Sequence, residues 1–321
     1  MNKDLNNWLS KIDDYSILEV NQIHSDASFR NYYRIIDADK GSFIVMESDP
    51  SLEDNKKFER ILSLLDQVSM PVPKIYEKDD SGRYYLLSDL GLNTLFDEVN
   101  EKLPLNLYQQ AISLLTDMQQ SSMGLLDNLS KYDKDLLYAE MELFKEWFCF
   151  YELRLSIQEI ERINFEDLYN ELIFRAVNQE DVFVHRDFHS RNLVISDINK
   201  ISMVDFQDAV SGPITYDIVS LLRDCYVKIN PDQMHLMLSE YYDQLIQNQM
   251  TEKSLKEFMI DFDLMGAQRH LKAIGIFSRL KHRDNKNNYI NDIPLTLSYL
   301  QDLSKQYEFI DVVLKQLKLS R

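Results

Sequence analysis

The sequence predicts an α+β protein of two unequal lobes: a small sheet-containing lobe over residues 1–88 and a larger, mainly helical lobe over 89–321. Three observations predict it. Aromatic and apolar stretches bounded by turn residues crowd the first ninety positions. Beyond Gly91 the apolar residues recur at helical spacing over 106–123, 136–178 and 232–320. One short strand pair, near 193–204, interrupts the helical part between two polar clusters. A chain of 321 residues with 45% hydrophobic composition is long enough to bury two cores.

Residues 3–11 predict a short amphipathic helix with Leu5, Trp8 and Leu9 on one side. The stretches 29–36 and 43–46 read as strands, and "DADKG" at 37–41 as the hairpin turn between them. From 51 to 70 the spacing turns helical, with Phe58, Ile61, Leu62 and Leu65 on one face and Glu53 and Asp54 suited to the first turn. "MPVPKIYE" ends that helix and restarts an extended segment. "GRYYLLSDLG", 82–91, reads as a strand running into a connector near 88–92. Two unequal lobes make a cleft, the usual place for a small ligand.

The net charge of −18 argues against a nucleic-acid binder, which carries a basic face. Two cysteines, Cys149 and Cys225, form no CxxC pair, so neither a redox nor a zinc pattern is present. The opening "MNKDLNNWLSKIDDYS" has no apolar signal core, and no apolar run reaches a membrane span, which predicts a cytoplasmic protein with no membrane partner. The acidic charge favours a soluble monomer.

The chemistry concentrates in "HRDFHSRNLVISDINKISMVDFQD", residues 185–208. Take "LVI" and "ISMV" as antiparallel strands joined by the turn "SDINK". Asn192, before the first strand, and Asp205, after the second, then sit at the same mouth. A neutral and an anionic oxygen are hard ligands, as Mg²⁺ requires. Asp187, five residues before Asn192, is placed to accept or orient a hydroxyl proton while a metal holds phosphates. These are the parts phosphoryl transfer needs. Each residue alone is an ordinary turn former; the full order HxDxHxxN, hairpin, then DF is far more specific.

"HRDFHSRNLVI" with "MVDFQDA" resembles the catalytic segment of the aminoglycoside phosphotransferases and choline kinases, relatives of the protein kinases. The resemblance implies a two-lobed, protein-kinase-like fold with the nucleotide held by the first lobe. It makes Asp187 the catalytic base, Asn192 and Asp205 the magnesium ligands, and His185 and Asp217 braces of the loop. "SDASFRNYYRI", "LLSDLG", "HRDFHSRNL", "VDFQDA" and "QRHLKAIGIFSRL" together resemble the anomeric N-acetylmuramate/N-acetylglucosamine kinases. That family implies ATP-dependent phosphorylation of the C1 hydroxyl of a free amino sugar, in the recycling of cell-wall sugars.

By the same resemblance Ser28 and Arg30 cover the ATP phosphates, and the backbone of Ser88, Asp89 and Leu90 meets the adenine. The chain departs from the kinase pattern at the phosphate-pairing strand lysine: Met46 or Glu47 occupies its place, so either Arg30 and the metal suffice, or Lys56 or Lys57 reaches in from the helix, or the protein binds ATP poorly. Glu59 is the analogue of that lysine's partner. On the acceptor side the basic segment 268–284 stands out in so acidic a chain. It is either a face that offsets nearby acids or a pocket wall whose positive field suits the lactyl carboxylate of N-acetylmuramate. The candidates there are Arg269, Lys272 and Arg279, with His189 and Arg191 of the loop and the aromatic Trp147 and Tyr151. Two other functions compete: a kinase of another small hydroxyl compound, such as an aminoglycoside or choline, and a non-catalytic pseudokinase that binds without turnover.

Overall fold

The computed structural model describes residues 3–12, 14–23 and 30–320. The chain divides into two compact units. The first takes the residues up to Asn93 together with 194–208, and the second takes 94–193 and 209–321. The expected boundary at 88/89 contains no such return: the 194–208 segment goes with the sheet.

In the first unit, helix α1 (Lys3–Leu9) precedes strands β1 (Ile17–Ile23), β2 (Asn31–Asp37) and β3 (Gly41–Glu47). Helix α2 (Asn55–Gln67) and strands β4 (Ile75–Lys78) and β5 (Tyr84–Ser88) follow. The five strands form one antiparallel sheet in the order β1-β2-β3-β5-β4. Alternation decides its two faces. Tyr33, Ile35, Phe43, Val45, Tyr84 and Leu86 pack with Leu5 and Leu9 of α1, and Trp8 stacks on Tyr84 at 5.4 Å. Tyr85, of the opposite parity, meets Phe58 of α2 edge-on at 6.0 Å.

The turn between β2 and β3 is made by Asp37, whose Oδ1 accepts the N–H groups of Asp39 (2.9 Å) and Lys40 (2.7 Å). Asp54 caps α2, accepting from the Lys57 N–H at 3.0 Å. The buried face of α2 carries Phe58, Ile61, Leu64 and Leu65. Leu62, expected on that face, is only half-buried; Leu64 takes its place because the helix docks through the 58, 61, 65 line and Leu62 falls at its rim.

The second unit begins after β6 (Asn93–Thr94) with α3 (Leu105–Ser121) and α4 (Lys134–Leu143). A π-helical segment, Phe144–Glu152, continues from α4. Then come α5 (Ile157–Ile160), α6 (Phe165–Val177) and β7 (Asp181–Val184). The chain returns to the first unit for the hairpin of β8 (Leu193–Ile195) and β9 (Ile201–Met203), which pair as expected. It re-enters the second unit with β10 (Val210–Pro213), antiparallel to β7, and α7 (Tyr216–Leu222). Helices α8 (Pro231–Gln247), α9 (Leu255–His282), α10 (Ile293–Leu303) and α11 (Glu308–Gln316) complete it.

Helix α9 is the axis of this unit, and a Ser254–Glu257 capping box starts it. It packs against α4, α6, α7, α10 and the π-helical segment. Its burial runs all round: Leu271 and Ile274 are buried, and so are Gln268, Arg269, His270 and Lys272. A helix buried on every side needs a close approach somewhere, and Gly275 provides it. A Cβ there would lie 2.4 Å from the Leu143 carbonyl carbon and 2.6 Å from the Phe144 nitrogen. Gly275→Ala is therefore expected to cost about 1–3 kcal/mol by overpacking. The readout is a lowered thermal midpoint against Gly124→Ala, where a Cβ meets nothing within 4 Å. Equal midpoints for the two variants would contradict the close approach. No helix of the described residues is long and apolar enough to cross a membrane.

Candidate active site

In the second unit, β7 delivers the chain into the loop 185–192. Two carboxylates hold that loop by its backbone. Asp217, at the start of α7, accepts the N–H of His185 (2.7 Å) and of Arg186 (3.0 Å). Asp224, beyond the end of α7, accepts the N–H (3.0 Å) and hydroxyl (2.6 Å) of Ser190. Arg186 can make this turn only in the left-handed region, at φ +74°, a conformation uncommon outside glycine. Burial pushes the Asp217 carboxyl up to about 7, against the pull of its two N–H donors.

Asp187, half-buried, points its chemistry into a field of cations. Burial raises its carboxyl, and the charges of Lys272, His189, Arg269 and Arg186 outweigh burial, holding it below the usual carboxylate range. The Asn192 side-chain Nδ2 donates to the Asp187 carbonyl at 3.0 Å. That bond assigns the amide so that Oδ1 is its acceptor atom, as a magnesium ligand needs. His189, next but one to Asp187, is held below its ordinary value by burial, and its Nδ1 has no partner among the described residues.

The cations themselves are organised by one residue that the motifs did not reveal. Glu140 of α4, 5% exposed, pairs with Arg186 and with Lys272 (3.1 Å) and accepts from Tyr132 and from Gln268 Nε2 (3.2 Å). Lys272 Nζ also donates to the Tyr216 hydroxyl at 3.0 Å. A signal for Glu140 was available: it is an acid inside the apolar stripe Leu137, Met141, Phe144 of an otherwise amphipathic helix.

The basic segment 268–284 thus divides. Arg269 (6% exposed) and Lys272 (9%) are buried beside the loop, Arg269 with its Nη1 3.6 Å from Cys225 Sγ. His270 is buried too, stacked on Tyr299 at 4.8 Å, and burial holds it down at about 3. Lys281 and His282 pair with Glu152 at 2.7 Å. Arg279 is half-buried, and its Nε has no partner among the described residues. Trp147 and Tyr151 stack on each other at 4.8 Å along the π-helical segment, with Tyr151 43% exposed. Both cysteines are buried free thiols.

In the first unit, Asp205 follows the hairpin with φ +64°. Its exposed carboxylate accepts from Gln207 Nε2 at 2.8 Å. Phe206 stacks on Phe58 at 5.7 Å, and Asp208 pairs with Lys57, which fastens the segment to α2. Arg30, 2% exposed, lies over the Phe58 ring at 5.4 Å and donates from Nε to the Ser48 hydroxyl at 3.3 Å. The Tyr32 phenol, raised to about 12 chiefly by burial, feels Arg30 on one hand and Asp205 on the other.

The place of the strand lysine is taken up differently. Met46 is fully buried, and Glu47 binds Arg83 at 2.9 Å. Of the residues that were to replace the lysine, Lys57 is engaged by Asp208 and Lys56 is exposed. Glu59 is engaged by Lys78 and the Tyr85 hydroxyl. At the connector, the Ser88 N–H donates to the Lys74 carbonyl (2.9 Å), and the Asp89 carboxylate takes Arg34 (2.6 Å). The backbone of Asp89 and Leu90 is the part left to consider for an adenine edge. Ser28 lies outside the described residues.

Known proteins resemble this chain in sequence and in fold. Residues 19–252 match the profile of APH, the phosphotransferase enzyme family. A relative from Pseudomonas putida named N-acetylmuramate/N-acetylglucosamine kinase is 38% identical over 280 residues, 87% of this chain and 81% of the relative. One of the same name from Pseudomonas aeruginosa is 35% identical over 278 residues, 86% of this chain and 81% of the relative. Among solved structures, choline kinase LicA from Streptococcus pneumoniae shares the fold, with a TM-score of 0.61 at 14% identity over 94% of this chain and all of that one. The chain belongs to the phosphotransferase enzyme family, of the aminoglycoside phosphotransferase and choline kinase kind, with N-acetylmuramate/N-acetylglucosamine kinases among its relatives.

Proposed function

We propose that the protein is an ATP-dependent kinase that phosphorylates the anomeric C1 hydroxyl of N-acetylmuramate, N-acetylglucosamine or both. The observation that carries the reading is Asp187: a half-buried carboxylate kept ionised by surrounding cations, on a loop fixed by Asp217 and Asp224. The names of the relatives supply the sugar. The same cations oppose a polycationic aminoglycoside or a choline headgroup near Asp187, since like charges there repel.

The hydroxyl oxygen attacks the γ-phosphorus of ATP, the bond from that phosphorus to the β-bridging oxygen breaks, and ADP leaves. Asp187 orients the hydroxyl and takes its proton. A carboxylate held below its usual range is a weak base, so orientation matters more than proton removal. That suits an anomeric hydroxyl, which is more acidic than an ordinary alcohol. Asn192 and Asp205 offer the hard oxygens for magnesium, which when bound neutralises the nucleotide phosphates. Arg30 is the cation nearest in role to the absent strand lysine.

The test is a substrate panel. Purified protein with Mg·ATP is offered free amino sugars, aminoglycosides and choline, and products are identified by phosphorus NMR. A sugar 1-phosphate is expected. Phosphate on an aminoglycoside or choline, or no turnover of any acceptor, would overturn the reading in favour of another kinase or of a pseudokinase.

A further inference from the structure

Arg191 is built as a fork with its edges open. Its guanidinium carbon lies over the Tyr226 ring at 3.7 Å and over the Phe96 ring at 4.9 Å. Stacking occupies the faces of this planar cation and leaves the N–H donors around its rim available. Among the described residues no acceptor lies within hydrogen-bonding range of those donors and no carboxylate within ion-pair range. In a chain of 53 acidic and 35 basic residues that is unusual. Of the other cations near the loop, Arg186 and Lys272 are engaged by Glu140 and Arg223 by Asp263, while the buried Arg269 meets, among the described residues, only Cys225 Sγ at 3.6 Å.

The stack is held from both sides by the residue before it. Ser190 donates its N–H and hydroxyl to Asp224 Oδ2, and the Tyr226 N–H donates to Asp224 Oδ1 at 2.9 Å. The Phe96 N–H donates to the Ser190 carbonyl at 3.1 Å. Both rings are therefore registered to Ser190, and Arg191 has little freedom between them. Asp292 is within electrostatic reach of the guanidinium; burial raises its carboxyl above the usual range and Arg191 pulls it down. Arg191 stands four residues after Asp187, and His189, between them, sets its ring 5.3 Å from Tyr226. A half-buried fork held between two rings on this loop is a carboxylate receptor that has already lost much of its side-chain entropy.

We propose that Arg191 is the specificity residue of the acceptor site, pairing through its open edge with the lactyl carboxylate of N-acetylmuramate, so that the acid sugar is preferred to N-acetylglucosamine. This rests on the sugar-kinase reading. It separates Arg191 from the helix α9 cations, since Lys272 is already paired with Glu140.

The experiment compares kcat/KM for N-acetylmuramate, its methyl ester and N-acetylglucosamine in the natural protein, Arg191→Gln and Arg191→Lys. A charged hydrogen bond lost corresponds to about 10- to 100-fold. In Arg191→Gln the ratio of N-acetylmuramate to N-acetylglucosamine is expected to fall by that factor. Arg191→Lys, which keeps the charge and loses the fork, should fall less. The methyl ester, tested on the natural protein alone, should lose about as much as the Gln variant does. Equal losses on both sugars, an unchanged ratio, or an ester used as well as the acid would overturn the proposal. If the natural protein phosphorylates neither sugar, the kinase reading fails by itself. Titration calorimetry of the acid against its ester then decides the clamp: tighter binding of the acid by about tenfold keeps it, and equal binding rejects it.

Discussion

Asp187→Asn is expected to lower kcat by about 10²–10⁴-fold, the usual cost of losing a positioned base, with ATP binding nearly unchanged. The fold should survive. The loop is held by Asp217 and Asp224 through backbone and Ser190 groups, and Asn192 binds the Asp187 carbonyl rather than its carboxylate. The change removes both the proposed proton acceptor and the anion that faces Lys272 and Arg269. Steady-state kinetics with nucleotide binding measured separately distinguishes the outcomes. Weak ATP binding with normal turnover would remove Asp187 from the chemical step.

Asp205→Asn is the second large effect. A metal ligand that stabilises the phosphates contributes several kcal/mol, so turnover should fall on the order of 10³-fold. Asparagine is the right probe for two reasons. It tolerates the left-handed backbone at φ +64°, and it leaves Phe206 stacked on Phe58. A thermal midpoint close to that of the natural protein, with activity lost across a magnesium titration, is the expected pair of results. Most of the activity surviving at saturating Mg²⁺ would rule out the ligand role.

Much of this could be read from residue order. Strands β2, β3 and β5 of the first unit followed from aromatic and apolar runs, the hairpin between β2 and β3 from "DADKG", and α2 from the switch to helical spacing, because these patterns are local, whereas the mostly exposed β1 (Ile17–Ile23) carries no such run. The loop residues Asp187 and Asn192 were legible because a motif of fixed spacing carries them. What was not legible is what long-range packing decides. Composition shows seven basic residues in 268–284 but not that Arg269 and Lys272 would be buried, which depends on Glu140 arriving from α4. The widened π-helical turn at Phe144–Glu152 has no local signature and accompanies the approach of Gly275 to Leu143. The return of 194–208 to the sheet unit is likewise a tertiary fact.

That return has a consequence for synthesis. Residues up to Asn93 leave the ribosome long before 194–208, yet their unit is incomplete without the later segment. The Met203 N–H donates to the Pro71 carbonyl at 2.8 Å. The chain at Gly91 passes so close to Ile195 that a Cβ would lie 2.2 Å from its carbonyl oxygen. Phe58 has Phe206 to cover it. Until 194–208 has been made, the nascent first unit shows an uncovered aromatic patch and unanswered backbone groups, a state prone to non-native association. A gene cut at 88/89 would make that state permanent, so the sheet unit can be produced alone only from a gene that joins 194–208 to it.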